Sequence, residues 1–204
     1  MVREMGGGVV RAAESTPVLA GVCGTDPFRL RPVFLEQVRN AGFSGVQNFP
    51  TVGLFDGTIR TGLEETGMRY GLEVDIIPLP RYMDLLTTRY CFNPDEATAM
   101  AEAGADILIP HMGLTTKGLI GADTAVSLED AASRVQAMAE AARQVRPDVL
   151  VLCHGGPIAE PADAQYILDH PEGVVGFYGA SSMERLPVEP AITERIREFG
   201  RLRV

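Results

Sequence analysis

Two histidines each close a short apolar run in this sequence: His111 ends "DILIPH" and His154 ends "VLVLCH". An unperturbed imidazole titrates near ~6.5, so either ring could move a proton at neutral pH. The other use of a histidine at such a place is structural, as a hydrogen-bonded ring in the core. His170 sits in "LDHPEG", where it reads as a solvent-facing residue at a helix end.

Small residues follow both kinds of strand end. Gly155 and Gly156 come directly after His154, and "YGASS" supplies Gly179, Ser181 and Ser182. Glycines let backbone N–H groups approach an anion, and a helix starting after "GASS" would point donors outward. The plain alternative is a tight strand-to-helix turn, with Ser181 or Ser182 as a helix cap. Arg185 would add positive charge or lie on the outer face.

Gln47, Asn48 and Thr51 cluster around "GVQNFPT". Neutral amides and a hydroxyl there could hold a substrate carboxylate, or simply satisfy a turn. Asp26 after "VCGT" is a candidate catalytic carboxylate and equally an N-cap for a helix from Pro27. Glu64 and Glu65 in "LEETGM" read as a solvated helix start. Thr115 and Thr116 lie in a loop bounded by glycines, a lid or an ordinary connection. His111 with His154 could ligate zinc if a third ligand joined them, but no tight ligand motif is present, so the metal is unknown.

These residues need elements to position them. Six short, continuously apolar runs read as strands: Pro17–Cys23, Ser44–Pro50, Asp84–Phe92, Ala105–Met112, Asp148–His154 and Gly173–Ala180. Unbroken apolar runs suit parallel strands buried on both faces. Helical patterns lie between them. Asn93-Pro94-Asp95-Glu96 and Ser127-Leu128-Glu129-Asp130 are start signals, and Pro147 must follow the end of the Ala-rich helix. Pro161 and Pro190 are expected in the first turns of the last two helices. Gly42 and Gly104 are expected as left-handed stops. Pro32, and the prolines of "IIPLPRYM", are expected to break helices that restart after them.

Strand–helix alternation gives an α/β domain, either an open doubly wound sheet or a (β/α)8 barrel. Small residues past the last two strands favour the barrel, whose phosphate sites follow strands seven and eight. An open sheet would carry its glycines after the first strand, and no G-x-G-x-x-G or Walker pattern is present.

Bulk properties narrow the function. The chain has 204 residues, 46% hydrophobic and 22% charged, with a net charge of −9. The acidic balance and the lack of a basic run argue against nucleic acid as a partner. No apolar stretch has membrane-span length, and no signal-peptide pattern opens the chain. Cys23, Cys91 and Cys153 lie in apolar runs and read as reduced core thiols of a cytoplasmic protein.

"TPVLAGVCGTDPFRL", "GFSGVQNFPTVGLFDG", "LEETGM", "HMGLTTKGLIGA", "VLCHGGPIAEPADAQYIL" and "GFYGASSMERLPVE" carry a resemblance that runs in order from about Thr16. The chain resembles the phosphoenolpyruvate hydrolase-like TIM-barrel family, grouped with the isocitrate lyase/phosphoenolpyruvate mutase superfamily. A related barrel forms the C-terminal part of a tomato resistance protein. The resemblance implies a single (β/α)8 domain over 1–204, present only from its third strand to its eighth, with Met1–Ala13 as the tail of the second helix. It implies hydrolysis of phosphoenolpyruvate, or a neighbouring lyase step, on a small anionic substrate. A ligand-binding or interaction barrel without turnover is the alternative. Mg²⁺ is a possible cofactor, none being established, because better-known superfamily enzymes hold it with strand-end carboxylates. A homo-oligomer is expected. The resulting site set is His154, His111 and Asp26 as catalytic groups, with Gln47, Asn48, Thr51, Gly155, Gly156, Gly179, Ser181 and Ser182 around the substrate.

Overall fold

A computed structural model describes residues 2–203. Helix α1 (Val2–Ala12) leads into β1 (Leu19–Gly21), α2 (Arg31–Asn40) and β2 (Gly45–Gln47). Three short helices follow, α3 (Gly57–Glu65), α4 (Gly71–Asp75) and α5 (Pro78–Tyr82). Regular alternation then takes over: β3 (Leu86–Cys91), α6 (Pro94–Glu102), β4 (Ile107–Pro110), α7 (Leu128–Val145), β5 (Leu150–Cys153), α8 (Pro161–Asp169) and β6 (Val174–Phe177). The chain closes with α9 (Ser181–Glu184) and α10 (Val188–Phe199).

The local signals act where their chemistry allows. The Asn93 side chain accepts from the Glu96 N–H at 2.9 Å, and the Ser127 hydroxyl accepts from the Asp130 N–H at 3.0 Å. Both caps satisfy an orphan donor of a helix start. Gly42 and Gly104 take φ of 91° and 94° just past α2 and α6, where a side chain would be strained. The prolines of "IIPLPRYM" split the segment into α4 and α5, with Pro78 opening the second piece. Pro32 falls in the first turn of α2, which starts at Arg31. The helix expected from Pro27 is absent: residues 26–30 form turns, with the Asp26 carboxylate accepting from the Phe28 N–H at 2.8 Å.

All six strands are parallel and neighbours in chain order, β1-β2-β3-β4-β5-β6. A doubly wound sheet reverses its order about a central strand, so that architecture is excluded. The sheet is rolled. In a flat sheet β3 and β6 would stand about 14 Å apart, three spacings of ~4.8 Å. Yet the rings of Tyr90 on β3 and Tyr178 just beyond β6 are 6.0 Å apart, centroid to centroid. The architecture is TIM-barrel-like, but the barrel is not closed: among the described residues, the outer edges of β1 and β6 pair with no strand.

Two apolar clusters hold the sheet. The larger packs α6, α7 and α8 onto β3–β6, with a small-residue stripe on α7 of Ala131, Val135, Met138, Ala139 and Ala142. That spacing places one face against the sheet and lets α6 come close. The smaller gathers Leu35 and Val38 of α2, Phe43, Val46, Ile76 and Leu85 around β1 and β2. Cys91 and Cys153 are free thiols buried in the larger cluster. Burial pushes the Cys153 thiol up to about 11 and the Cys91 thiol further, so neither is a thiolate at neutral pH.

Candidate functional site

A cavity of about 480 Å³ opens at the C-terminal ends of the strands. Parallel strands set which residues reach it, because neighbouring side chains point to opposite faces. Gln47, Tyr90, His111, His154 and Tyr178 line it from β2 to β6, with Gly179, Ser181 and Glu184 following on. Leu19, Phe49, Leu54 and Leu114 complete its apolar wall, and Thr115 its rim.

His111 follows β4 and His154 follows β5, and the two are bridged as parallel neighbours. Their rings stand 4.6 Å apart at 68°. Tyr90 packs on both, with centroids 4.8 Å from His111 and 5.0 Å from His154. Phe92 stacks on the other side of His111 at 5.1 Å.

Hydrogen bonds fix the protons on these rings. The Gly113 N–H donates to His111 Nδ1 at 3.0 Å. That nitrogen is therefore a lone pair, and neutral His111 carries its proton on Nε2. His154 Nδ1 stands 2.5 Å from the Tyr178 carbonyl oxygen, which can only accept. His154 therefore carries its proton on Nδ1 and leaves Nε2 as a lone pair. Neither Nε2 has a partner among the described residues. The cavity thus presents one fixed donor beside one fixed acceptor.

Both rings are held neutral. Burial, then the neighbouring His154, pulls His111 down to about 3. Burial also lowers His154, partly countered by the Tyr178 carbonyl. Burial raises Tyr90, with the Tyr178 phenol adding to it, and burial raises Tyr178, eased by a hydrogen bond with Thr88. Tyr90, Tyr178 and Glu184 were not singled out from the sequence. Tyr90 stands two residues after Thr88, on the same face of β3 as that partner of Gln47, but β3 is buried on both faces and its sequence does not mark that face.

The remaining candidates divide. Gln47 lines the cavity, with its amide tied to Thr88 and Asn48. Asn48, one residue on, turns the opposite way. It donates to Glu73 at 2.7 Å and to the Tyr90 carbonyl at 3.2 Å, and accepts from the Tyr90 N–H at 2.7 Å. Thr51 accepts from the Gly53 N–H and starts the 3-10 turn Val52–Leu54. Asp26 binds its own turn and Arg29 at 3.1 Å, and does not line the cavity. Glu73 is fully buried, and burial raises its carboxyl against bonds from Val52, Thr51 and Asn48. Arg89 lies buried within its field, with desolvation lowering it to about 10 and Nε unpartnered.

The double glycine has a packing cause. Gly155 and Gly156 adopt φ of 79° and 56°. A Cβ on Gly155 would come 2.5 Å from the Gly113 carbonyl, and one on Gly156 would collide with the Met112 carbonyl. The Gly156 N–H already donates to the Gly113 carbonyl at 2.8 Å, and its own carbonyl accepts from Thr116. "CHGGP" therefore locks the β5 loop under the β4 loop, and the Gly156 amide is used within the fold. Gly179 and Ser181 reach the cavity; Ser182 is not among its lining residues. Arg185 is taken up by Glu189 at 2.8 Å and the Lys117 carbonyl.

Among the described residues no group of three or more His, Cys, Asp or Glu side chains could hold a metal ion. Mg²⁺ prefers a set of oxygen ligands, and Glu184 is the one carboxylate among the described residues lining the cavity. The described residues lining the cavity do not fit Mg²⁺. No helix among the described residues is long and apolar enough to cross a membrane.

A strand-ordered, rolled β/α sheet with paired histidines at its C-terminal mouth defines an α/β-barrel type of protein with a strand-end site. The chain belongs to the phosphoenolpyruvate hydrolase-like family, whose profile matches residues 1–202. It is 60% identical over 199 residues to two tomato (Solanum lycopersicum) proteins, the ToMV susceptible protein tm-1(GCR26) and the ToMV resistance protein Tm-1(GCR237). Those matches cover 98% of this chain and 26% of each relative, so the chain spans about a quarter of their length. Among solved structures, a phosphonopyruvate hydrolase in complex with oxalate and Mg²⁺ superposes with a TM-score of 0.43 at 11% identity, over 98% of this chain and 87% of that one. A 2,3-dimethylmalate lyase gives 0.39 at 12% identity, over 96% and 87%.

Proposed function

We propose that this chain is an acid–base enzyme acting on a small enol-type substrate at the His111–His154 cavity, with phosphoenolpyruvate hydrolysis as its leading candidate reaction. Family membership supports the substrate class. The observation that carries the chemistry is the pair of ring hydrogen bonds, Gly113 N–H to His111 Nδ1 and His154 Nδ1 with the Tyr178 carbonyl, which set opposite tautomers on adjacent rings.

The roles follow from where the protons sit. His154 Nε2 accepts a proton from the attacking water. The water oxygen bonds to phosphorus as the bond from phosphorus to the enol oxygen breaks. The departing enol oxygen takes its electron pair and is met by the His111 Nε2–H. Proton return to the substrate's methylene carbon, from protonated His154, converts the enolate to pyruvate and leaves the His111 proton in place. Hydrogen-bond donors placed where charge develops lower such barriers. Tyr90, Tyr178, Gln47 and Ser181 supply hydroxyl and amide contacts around the substrate.

The test is phosphate release from phosphoenolpyruvate. His154→Asn should lower it by about 10²–10⁴, the usual contribution of one acid–base group, with His111→Asn close behind. A wild-type protein that binds phosphoenolpyruvate without releasing phosphate would favour a binding barrel without turnover. The tomato relatives' names, which record virus susceptibility and resistance, favour that second reading.

A further inference from the structure

We propose that the same two rings catalyse keto–enol exchange of uncharged carbonyl compounds, an activity separate from phosphate release. The inference rests on the acid–base reading of the His111–His154 pair. A fixed Nε2–H beside a fixed Nε2 lone pair is what enolisation asks of a site. The donor meets the carbonyl oxygen, and the lone pair takes the proton from the adjacent carbon.

The step balances without a further reactant. The C–H bond next to the carbonyl breaks, and its proton goes to His154 Nε2. Its electron pair forms the C=C bond, and the carbonyl π pair moves onto oxygen against the His111 Nε2–H. Return of a solvent-exchanged proton to carbon restores the ketone.

The cavity's charge selects the substrate class. The histidines are neutral and the tyrosines protonated, and Glu184 is the one carboxylate among the described residues lining the cavity. Glu184 is exposed at the rim, so its repulsion of an anion is screened by solvent: it favours an uncharged carbonyl over the same body bearing a carboxylate without excluding phosphoenolpyruvate. Leu19, Phe49, Leu54 and Leu114 give an aryl or alkyl body an apolar surface. The volume of about 480 Å³ is ample for one ring and a short chain.

Phenylacetone is the probe. Its α-protons are followed by proton NMR as they are lost to D₂O, with EDTA present. The purified protein should speed the loss, and His154→Asn should slow it by at least about 100-fold. His170→Asn should leave it unchanged, because His170 stacks on Tyr166 at the exposed end of α8, away from the cavity. Phenylpyruvate, which adds a carboxylate to the same body, should exchange more slowly than phenylacetone, and Glu184→Gln should narrow the difference. Long-range ¹⁵N–¹H spectra of the wild type should show His111 protonated on Nε2 and His154 on Nδ1, a result that does not depend on how any variant folds. No acceleration, indifference to His154→Asn, faster exchange of phenylpyruvate, or one tautomer on both rings would each overturn the inference. Phosphate release without α-proton exchange would leave the hydrolase reading standing and this one refuted. Exchange without phosphate release would do the reverse.

Discussion

His111 and His154 work as a pair because the fold keeps both rings uncharged and unlike. That has a consequence for stability. In the unfolded chain each ring takes up a proton below about 6.5. In the fold His111 stays neutral down to about 3, and His154 stays neutral to below its ordinary value. Between those limits the unfolded state binds more protons, so unfolding becomes easier as the pH falls from 6.5. The contribution of His111 is about 2 kcal/mol lost by pH 5, at 1.36 kcal/mol per unit. Glu73 and Glu96 act in the opposite direction. Their folded carboxyls bind protons before the unfolded ones do, so they restore stability as the pH falls through their raised values. Urea unfolding at pH 7, 6 and 5 separates the two effects when wild type is compared with the double variant His111→Asn/His154→Asn. The wild type should lose stability relative to the double variant between pH 6.5 and 5. Parallel curves would mean that the rings are as easily protonated in the fold as outside it. For catalysis, kcat/KM should hold as the pH falls past the ordinary imidazole value and drop only further down, where the buried His154 takes up its proton.

At the scale of elements, the β2–β3 seam shows what a sequence can and cannot disclose. The apolar runs revealed all six strands and their parallel character, and the caps at Asn93 and Ser127 behave as their spacing requires. Parity was hidden. A strand buried on both faces has no polar–apolar alternation, so "VQN" does not say which amide faces in. Gln47 faces the cavity, whereas Asn48 spans from β2 to the Tyr90 peptide and to Glu73. Asp26 is ambiguous for a related reason: after a strand, a carboxylate that caps a turn, as Asp26 does here, has the same local sequence as one that reaches a substrate. The double glycine signals close backbone approach, and the group that approaches is the β4 loop. Asn48→Ala distinguishes a seam residue from a ligand residue. It leaves the Tyr90 N–H without its acceptor and removes a donor from buried Glu73, which should cost about 2–4 kcal/mol in urea unfolding. Ligand affinity, measured where both proteins remain folded, should change little. A stable variant with lost affinity would return Asn48 to the substrate.

For the whole molecule, the unclosed sheet sets a gradient of stability. β3 and β4 have a strand on each side and lie under α6 and α7, with Cys91, Leu108 and Ile109 essentially excluded from solvent. β1 is three residues long and, among the described residues, pairs with β2 alone. β6 pairs with β5 alone, through a register shift between Val151 and Leu152, and Val175 is 59% exposed. Helix α10, which follows β6, buries none of its residues and leaves Ile192, Ile196 and Phe199 more than half exposed. Local opening is easiest where little apolar surface must be uncovered and few backbone bonds must break. β1, β6 and α10 meet both conditions, and β3 and β4 meet neither. Amide hydrogen exchange should therefore run fastest in α10, then in β1 and β6, and slowest at Tyr90, Leu108 and Ile109. Protection should differ by at least about 100-fold between β4 and β6, equivalent to roughly 2.7 kcal/mol in opening free energy. The cavity straddles this gradient, since His111 and Tyr90 stand on the slow side and Tyr178 and Ser181 on the fast side. Its rigid half carries the donor, and its looser half carries the carbonyl that sets the His154 tautomer. Protection of β6 equal to that of β4 would show that the sheet's outer edge is held by contacts beyond those among residues 2–203, and the gradient argument would fail.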